Sequence, residues 1–215
     1  MSRSPFSLAL AALLYGAISL TANAVGAGDL SAASPNSREL STADRANLKA
    51  LRGGDMLKLV VHDKPRDRID ETFRDLYGNA ITLADYSGKV VLLNLWATWC
   101  PPCRAEMPSI DRLAGAMAGN DFAVIPLSTD RGGVEQVAEF FKDIQVENLK
   151  VMHDRSNKVA RQAGSLGLPV TLILDRQGRE IARLIGAANW NSRDARAILL
   201  WVIEVTAGRT EVERT

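Results

Sequence analysis

The sequence has 215 residues, of which 47% are hydrophobic, a composition typical of one soluble domain with a sizeable core. Its 26 basic and 25 acidic residues nearly cancel, which leaves a formal net charge of +1. This balance excludes an overall field that would attract nucleic acid or an anionic membrane surface, so the charge identifies no partner.

The first 24 residues have the order of a signal peptide. Arg3 precedes an uncharged stretch at 8–20, and Ala22-Asn23-Ala24 follows as a small-x-small cleavage site. An uncleaved membrane anchor is the alternative, although polar residues dilute the apolarity over the length that a span requires. Under either interpretation the rest of the chain is exported, and we expect it in the periplasm.

Residues 25–50 are rich in Ala, Ser, Gly and Asn and contain few large apolar side chains. Such a segment buries too little surface to offset the entropy lost on folding. We therefore predict a flexible leader over 25–50 and a folded domain over 51–215.

In the predicted domain, strand-like and helix-like segments alternate along the chain. Apolar periodicity and turn residues predict strands at 57–62, 72–75, 80–83, 89–96, 122–128, 149–152, 170–175 and 180–185. They predict helices at 101–118, 133–143, 156–163 and 192–206. Crossover helices join parallel strands, whereas hairpins join antiparallel ones. We therefore expect an α/β fold in which helices cover both faces of a mixed sheet.

The only two cysteines of the chain, Cys100 and Cys103, lie where a predicted buried strand leads into a helix. Free backbone amides and the positive end of the helix dipole stabilise a thiolate at Cys100. Cys103 follows one helical turn later on the same side and can close a disulfide. Pro101 fits the first helical turn because its missing N–H would have no intrahelical partner, and with Pro102 it stiffens the site. The pattern predicts a redox-active cysteine pair that needs no cofactor.

Other uses of the two cysteines compete with this interpretation. A structural disulfide would close so short a loop that it would stabilise the fold little. Zinc would need His62 and His153, which lack the spacing of metal ligands. Cu(I) held by the two thiolates, with His153 or Met107 as a further ligand, is the stronger alternative and would make the protein an exported copper chaperone.

Residues 95–108, LWATWCPPCRAEMP, resemble the active site of the thioredoxin superfamily, and more narrowly that of the exported TlpA, ResA and CcmG disulfide reductases. The similarity extends over roughly 56–207. It implies a thioredoxin-like mixed sheet flanked by helices, with an N-terminal β-hairpin extension and a central insertion at 132–153. It also implies thiol-disulfide exchange as the activity.

The same resemblance implies roles for individual residues. Asn94 stands where cytoplasmic thioredoxins have a buried carboxylate, and Glu106 stands where ResA-like proteins have an acid that handles a proton beside the cysteines. A solvated acid near the positive helix end is the other interpretation of Glu106. Leu168 and Pro169 resemble the loop with a cis proline whose backbone binds an extended substrate. The expected substrate-binding residues are Trp99, Pro101, Pro102, Leu168 and Pro169.

The resemblance implies partners as well. The substrates would be protein disulfides, those of apocytochrome c or of copper-assembly proteins, and the direction would be reduction. A soluble protein without a second redox pair needs an external source of electrons, for which the resemblance implies a membrane donor of the DsbD or CcdA type. We expect a monomer that binds no nucleic acid.

Overall fold

A computed structural model of the protein describes residues 37–207. The strands are β1 (Val60–Arg66), β2 (Phe73–Asp75), β3 (Ala80–Ile81), β4 (Val90–Trp96), β5 (Phe122–Ser128), β6 (Met152–His153), β7 (Val170–Leu174) and β8 (Glu180–Ile185). The α-helices are α1 (Thr42–Ala50), α2 (Pro101–Met117), α3 (Val134–Asp143), α4 (Lys158–Gln162) and α5 (Arg193–Thr206). Within 37–207, no helix combines the length and apolarity that a membrane span needs.

The eight strands form one mixed sheet in the order β1-β8-β7-β4-β5-β6-β2-β3. β4 pairs in parallel with β5 and antiparallel with β7, and β7 continues through a hairpin into β8. β2 and β3 form an antiparallel hairpin at the far edge. The expected thioredoxin-like mixed sheet, with its hairpin extension, is therefore confirmed.

β4 is the centre of the core, and all seven of its residues are buried because both faces of the sheet are covered. On one face its side chains pack with those of α2 and α5, as Leu92 does with Ile110 and Val202. On the other face they pack with α4, as Leu93 does with Val159. The loop that carries the cysteines therefore begins at the end of a fully packed strand.

Two predicted strands start in the wrong place. The segment predicted as a strand at 57–62 begins with a 3₁₀-helix, Gly54–Lys58, and becomes extended only from Val60. Gly54 has a φ of +51°, which a glycine adopts readily and which lets the chain turn tightly there. The strand predicted at 149–152 is instead β6, because pairing with β5 begins only at Met152.

The predicted flexible leader over 25–50 is wrong in its last part, where α1 is formed. Ser41 caps this helix in a capping box with Asp44. Leu40 and Leu48 are buried in the main core, and this burial docks the segment. The folded domain therefore begins before residue 51. The predicted signal peptide at 1–24 lies outside the described residues.

Candidate active site

The two cysteines form a disulfide at the start of α2, directly after β4 and a short loop. Cys100 is the N-cap residue, and the backbone N–H of Cys103 donates to Cys100 Sγ at 3.3 Å. The same donor would stabilise a thiolate at Cys100 after reduction. Cys100 is 4% exposed and Cys103 is 0% exposed, so only Cys100 can be reached by another disulfide.

The residues expected to bind substrate surround this disulfide. Trp99 is 67% exposed, and Pro101 and Pro102 are also exposed. Leu168 packs against the cluster that contains both cysteines, and the Leu168–Pro169 peptide bond is cis, as the resemblance implied. Within residues 37–207 the backbone of Leu168 makes no hydrogen bond, whereas the Pro169 carbonyl accepts one from Gly186. The Leu168 backbone is thus available to an extended chain.

Glu106 is not a solvated acid, because its side chain is buried beneath α2 with 3% of its surface exposed. Its Oε1 accepts a hydrogen bond from Asn94 Nδ2 at 2.8 Å, and its Oε2 accepts one from the backbone N–H of Ala188 at 3.2 Å. Burial raises the pKa of Glu106 to about 7, and these two donors offset only part of the shift. The carboxyl group therefore titrates near neutral pH, one helical turn after Cys103.

Asn94 links Glu106 to the neighbouring strand. Its Nδ2 also donates to Thr171 Oγ1 at 2.9 Å, across the register in which Asn94 and Thr171 pair. Asn94 Oδ1 is buried and has no hydrogen-bond partner within residues 37–207. The amide at the position of the missing carboxylate therefore acts as a donor to Glu106.

Sequence reasoning missed the loop that holds Glu106 from the other side. The hydroxyl of Ser109 donates to the Glu106 carbonyl at 2.7 Å and accepts from the backbone N–H of Trp190 at 3.1 Å. The indole of Trp190 also lowers the pKa of Glu106, although its N–H has no hydrogen-bond partner among residues 37–207. No motif marks these residues, because they meet Glu106 only through tertiary packing.

A second buried carboxylate, also missed, fixes the loop before the cysteines. Asp130 accepts hydrogen bonds from the Thr98 backbone N–H at 2.9 Å, the Thr98 hydroxyl at 2.8 Å and the Ser128 hydroxyl at 2.7 Å. Asp130 is 1% exposed. It ties the end of β5 to the residues that immediately precede Cys100.

The two histidines considered as metal ligands have hydrogen-bond partners other than the cysteines. His62 Nε2 lies 2.6 Å from Glu180 Oε1, and His153 Nε2 lies 2.5 Å from the Asp130 carbonyl oxygen. Met107 is buried in the same cluster as Cys100 and Cys103. The part of the chain that the structure describes contains no group of three or more His, Cys, Asp or Glu residues arranged to hold a metal ion.

Comparison with known proteins supports the redox interpretation. The model of the AhpC/TSA family matches residues 66–182. A Bacillus thuringiensis protein named thiol-disulfide oxidoreductase ResA is 32% identical over 112 residues, which cover 52% of this chain and 64% of the relative. The chain thus spans slightly less than two thirds of that protein.

Solved structures share the fold. The exposed lipoprotein thioredoxin Etrx1 from Streptococcus pneumoniae has a TM-score of 0.51 and 28% identity, and covers 63% of this chain and 98% of its own. A secreted thiol-disulfide isomerase from Corynebacterium glutamicum has a TM-score of 0.54 at 20% identity, and covers 69% of this chain and 92% of its own.

Proposed function

We propose that this chain, which belongs to the AhpC/TSA family and is a thiol-disulfide oxidoreductase of the thioredoxin fold, reduces disulfides of exported proteins through Cys100 and Cys103. The observation that carries the proposal is the asymmetry of the pair. Cys100 reaches the surface at a helix N-terminus beside Leu168, while Cys103 is fully buried behind it.

The reaction is a two-step thiol-disulfide exchange. In the reduced protein the Cys100 thiolate attacks one sulfur of the target disulfide, and the other sulfur leaves as a thiolate that takes up a proton. Cys103 then loses its proton and attacks Cys100 Sγ, which releases the second target thiol. Two electrons pass from the cysteine pair to the target, and the Cys100–Cys103 disulfide forms. The two target sulfurs take up two protons, which balance the one that Cys100 lost when it ionised and the one that Cys103 loses in the second step.

Glu106 is the proposed acceptor for the proton of Cys103. It follows Cys103 by three residues on α2, it is buried with the cysteine, and it is the acid of the site that burial holds near neutral pKa. A group that titrates close to the working pH can accept a proton in one step and release it in the next. Asn94 and Ala188 position its two oxygens.

The substrates and the electron source follow from the family resemblance. We propose that the protein acts in the periplasm on disulfides of apocytochrome c or of copper-assembly proteins, and that a membrane donor of the DsbD or CcdA type reduces its cysteines again. The signal-peptide pattern and the similarity to an exposed lipoprotein thioredoxin support export. A Cu(I) chaperone that uses the same two thiolates is the competing hypothesis.

A Cys103→Ser variant tests this function, because it removes the thiol that resolves the mixed disulfide. When it is expressed in the native host, we expect a covalent complex with target proteins that dithiothreitol dissolves and that Cys100→Ser does not form. The absence of such complexes, together with copper bound at one equivalent per cysteine pair after reducing purification, would favour the chaperone instead.

A further inference from the structure

A groove of about 640 Å³ opens at Trp99, the residue before Cys100. It lies between Trp99, the loop from β5 to α3 and the loop from α4 to β7 that ends at Leu168. Trp99 and Leu168 thus belong to both the groove and the active site. A chain whose cysteine has reached Cys100 would have a neighbouring segment in this groove.

The apolar part of the groove is exposed. Trp99 is 67% exposed and Leu166 is fully exposed, although large apolar side chains are usually covered. An aromatic or aliphatic side chain of a bound segment would bury both.

The charged part of the groove has an excess of positive charge. Arg131 and Arg161 line it, both are exposed, and neither side chain makes a hydrogen bond or ion pair with any residue in 37–207. Asp130 is the carboxylate of this lining within the same range, but it is buried and its oxygens accept hydrogen bonds from Thr98 and Ser128. Two exposed guanidinium groups against one buried carboxylate leave the lining with a net positive charge.

We propose that this groove binds the segment beside the target cysteine and selects substrates that carry an apolar and an acidic side chain there. The apolar side chain packs on Trp99 and Leu166, and the acidic one pairs with Arg131 and Arg161. This inference rests on the proposed reductase function and names the class of protein substrate that it prefers. Complementary charges at exposed positions such as Arg131 and Arg161 change substrate affinity mainly by raising the rate of association.

The test uses the pre-reduced full-length protein and short peptides whose single cysteine carries a mercaptoethanol group in disulfide linkage. Each of two series has three peptides, in which Phe and either two Glu, two Gln or two Lys stand beside the cysteine. In the first series these residues precede the cysteine, and in the second they follow it. Single-turnover reduction yields the peptide thiol, mercaptoethanol and the Cys100–Cys103 disulfide, and acid quenching with chromatography gives the rate. Each rate is divided by that for hydroxyethyl disulfide with the same variant.

In one series we expect the Glu peptide to react about 3- to 10-fold faster than the Gln peptide, and the Lys peptide to react slowest. The preference falls to about one in R131Q/R161Q and in about 0.5 M NaCl, because salt screens exposed charges. It persists in the control R112Q, which removes an exposed arginine on α2. Control peptides carry Ser instead of Phe. The Leu166→Ser variant should reduce the Phe peptides more slowly, relative to these control peptides, than the unchanged protein does.

Equal rates for the three peptides in both series, or a preference that survives in R131Q/R161Q, would overturn the inference. Failure to reduce hydroxyethyl disulfide as well would refute the reductase function itself, so the two failures are distinguishable.

Discussion

Two buried glutamates of this protein have almost the same exposure and opposite electrostatics. Glu106, beneath the cysteine pair, is 3% exposed, and Glu180, at the pairing of β1 with β8, is 4% exposed. Burial alone would raise both pKa values. In Glu180 that effect is outweighed by hydrogen bonds from Arg183, at 2.5 and 2.6 Å, and from His62, so its pKa is lowered.

The difference lies in the neighbours. Glu106 receives neutral donors from Asn94 and the Ala188 backbone and forms no ion pair with any residue in 37–207. Burial therefore dominates the weak opposing effect of Lys58, and the pKa of Glu106 rises to about 7. A paired carboxylate remains charged and holds structure, whereas an unpaired one can exchange a proton near neutral pH. The comparison teaches that the acid proposed to exchange a proton is the one without an ion-pair partner among residues 37–207.

The largest expected effect is on the rate of reduction. Because Gln cannot accept the proton of Cys103, Glu106→Gln should slow single-turnover reduction of a protein disulfide by about 10² to 10⁴. Glu180→Gln, the matched control, should react within a fewfold of the unchanged protein, measured where both are folded. A Glu106→Gln variant that reacts at the original rate across neutral pH would remove the functional distinction between the two glutamates.

The next effect is on stability, and here the larger loss is expected at Glu180 rather than at Glu106. Glu180→Gln leaves the buried Arg183 guanidinium without its carboxylate, which should lower the free energy of unfolding by about 3–5 kcal/mol. Glu106→Gln removes no ion pair and should cost far less at pH 7. Urea denaturation followed by circular dichroism measures both. Equal losses would mean that Glu106 also serves mainly as a structural group.

The two glutamates should also give stability opposite pH dependences. The folded pKa of Glu106 is raised from 4.5 to about 7, so its contribution is present below pH 4.5 and is lost as the pH rises towards 7. The full loss is about 3 kcal/mol. For Glu180 the folded pKa is lowered, so its contribution is present above its unfolded value and is lost as the pH falls.

Unfolding measured from about pH 4 to pH 8 should therefore show wild type losing stability relative to Glu106→Gln as the pH rises. A difference between the two proteins that stays constant over this range would place the folded pKa of Glu106 near that of an ordinary glutamate.

The sequence predicts local features of this site better than its long-range contacts. The cysteine pair, the helix start and β5 follow from patterns within a few residues, and the predicted bounds 122–128 match β5. The family resemblance predicts the cis bond before Pro169 and the position of Glu106 near the cysteines. The raised pKa of Glu106 depends on the whole fold, because Ala188 lies 82 residues away in sequence.

Composition misled the prediction at α1. The small number of large apolar residues predicts a flexible leader, yet Leu40 and Leu48 dock against a core built by other segments. Arg45 adds a hydrogen bond to the His62 carbonyl at 2.8 Å. A short amphipathic helix gains most of its stability from the surface it meets, which its own sequence does not encode.

The smallest expected effect concerns Asn94, whose donation to Glu106 favours the charged carboxylate. Asn94→Leu removes that donor, so the pKa of Glu106 should rise further, and more of the proposed base should be protonated at pH 7. Reduction should then slow by about tenfold or less at pH 7. Thr171→Val is the matched control, because it removes the other partner of Asn94 and leaves the bond to Glu106 intact.

The pH profile decides between a positioning role and a packing role for Asn94. If Asn94 acts through Glu106, raising the pH to about 8 should deprotonate the carboxyl and restore most of the lost rate, while Thr171→Val follows the unchanged protein throughout. A rate loss in Asn94→Leu that is the same at both pH values would assign the effect to disturbed packing under α2. Asn94 would then have only a structural role beside Glu106. The difference between the pKa values of Glu106 and Glu180 would come only from the contacts that Glu180 makes with Arg183 and His62.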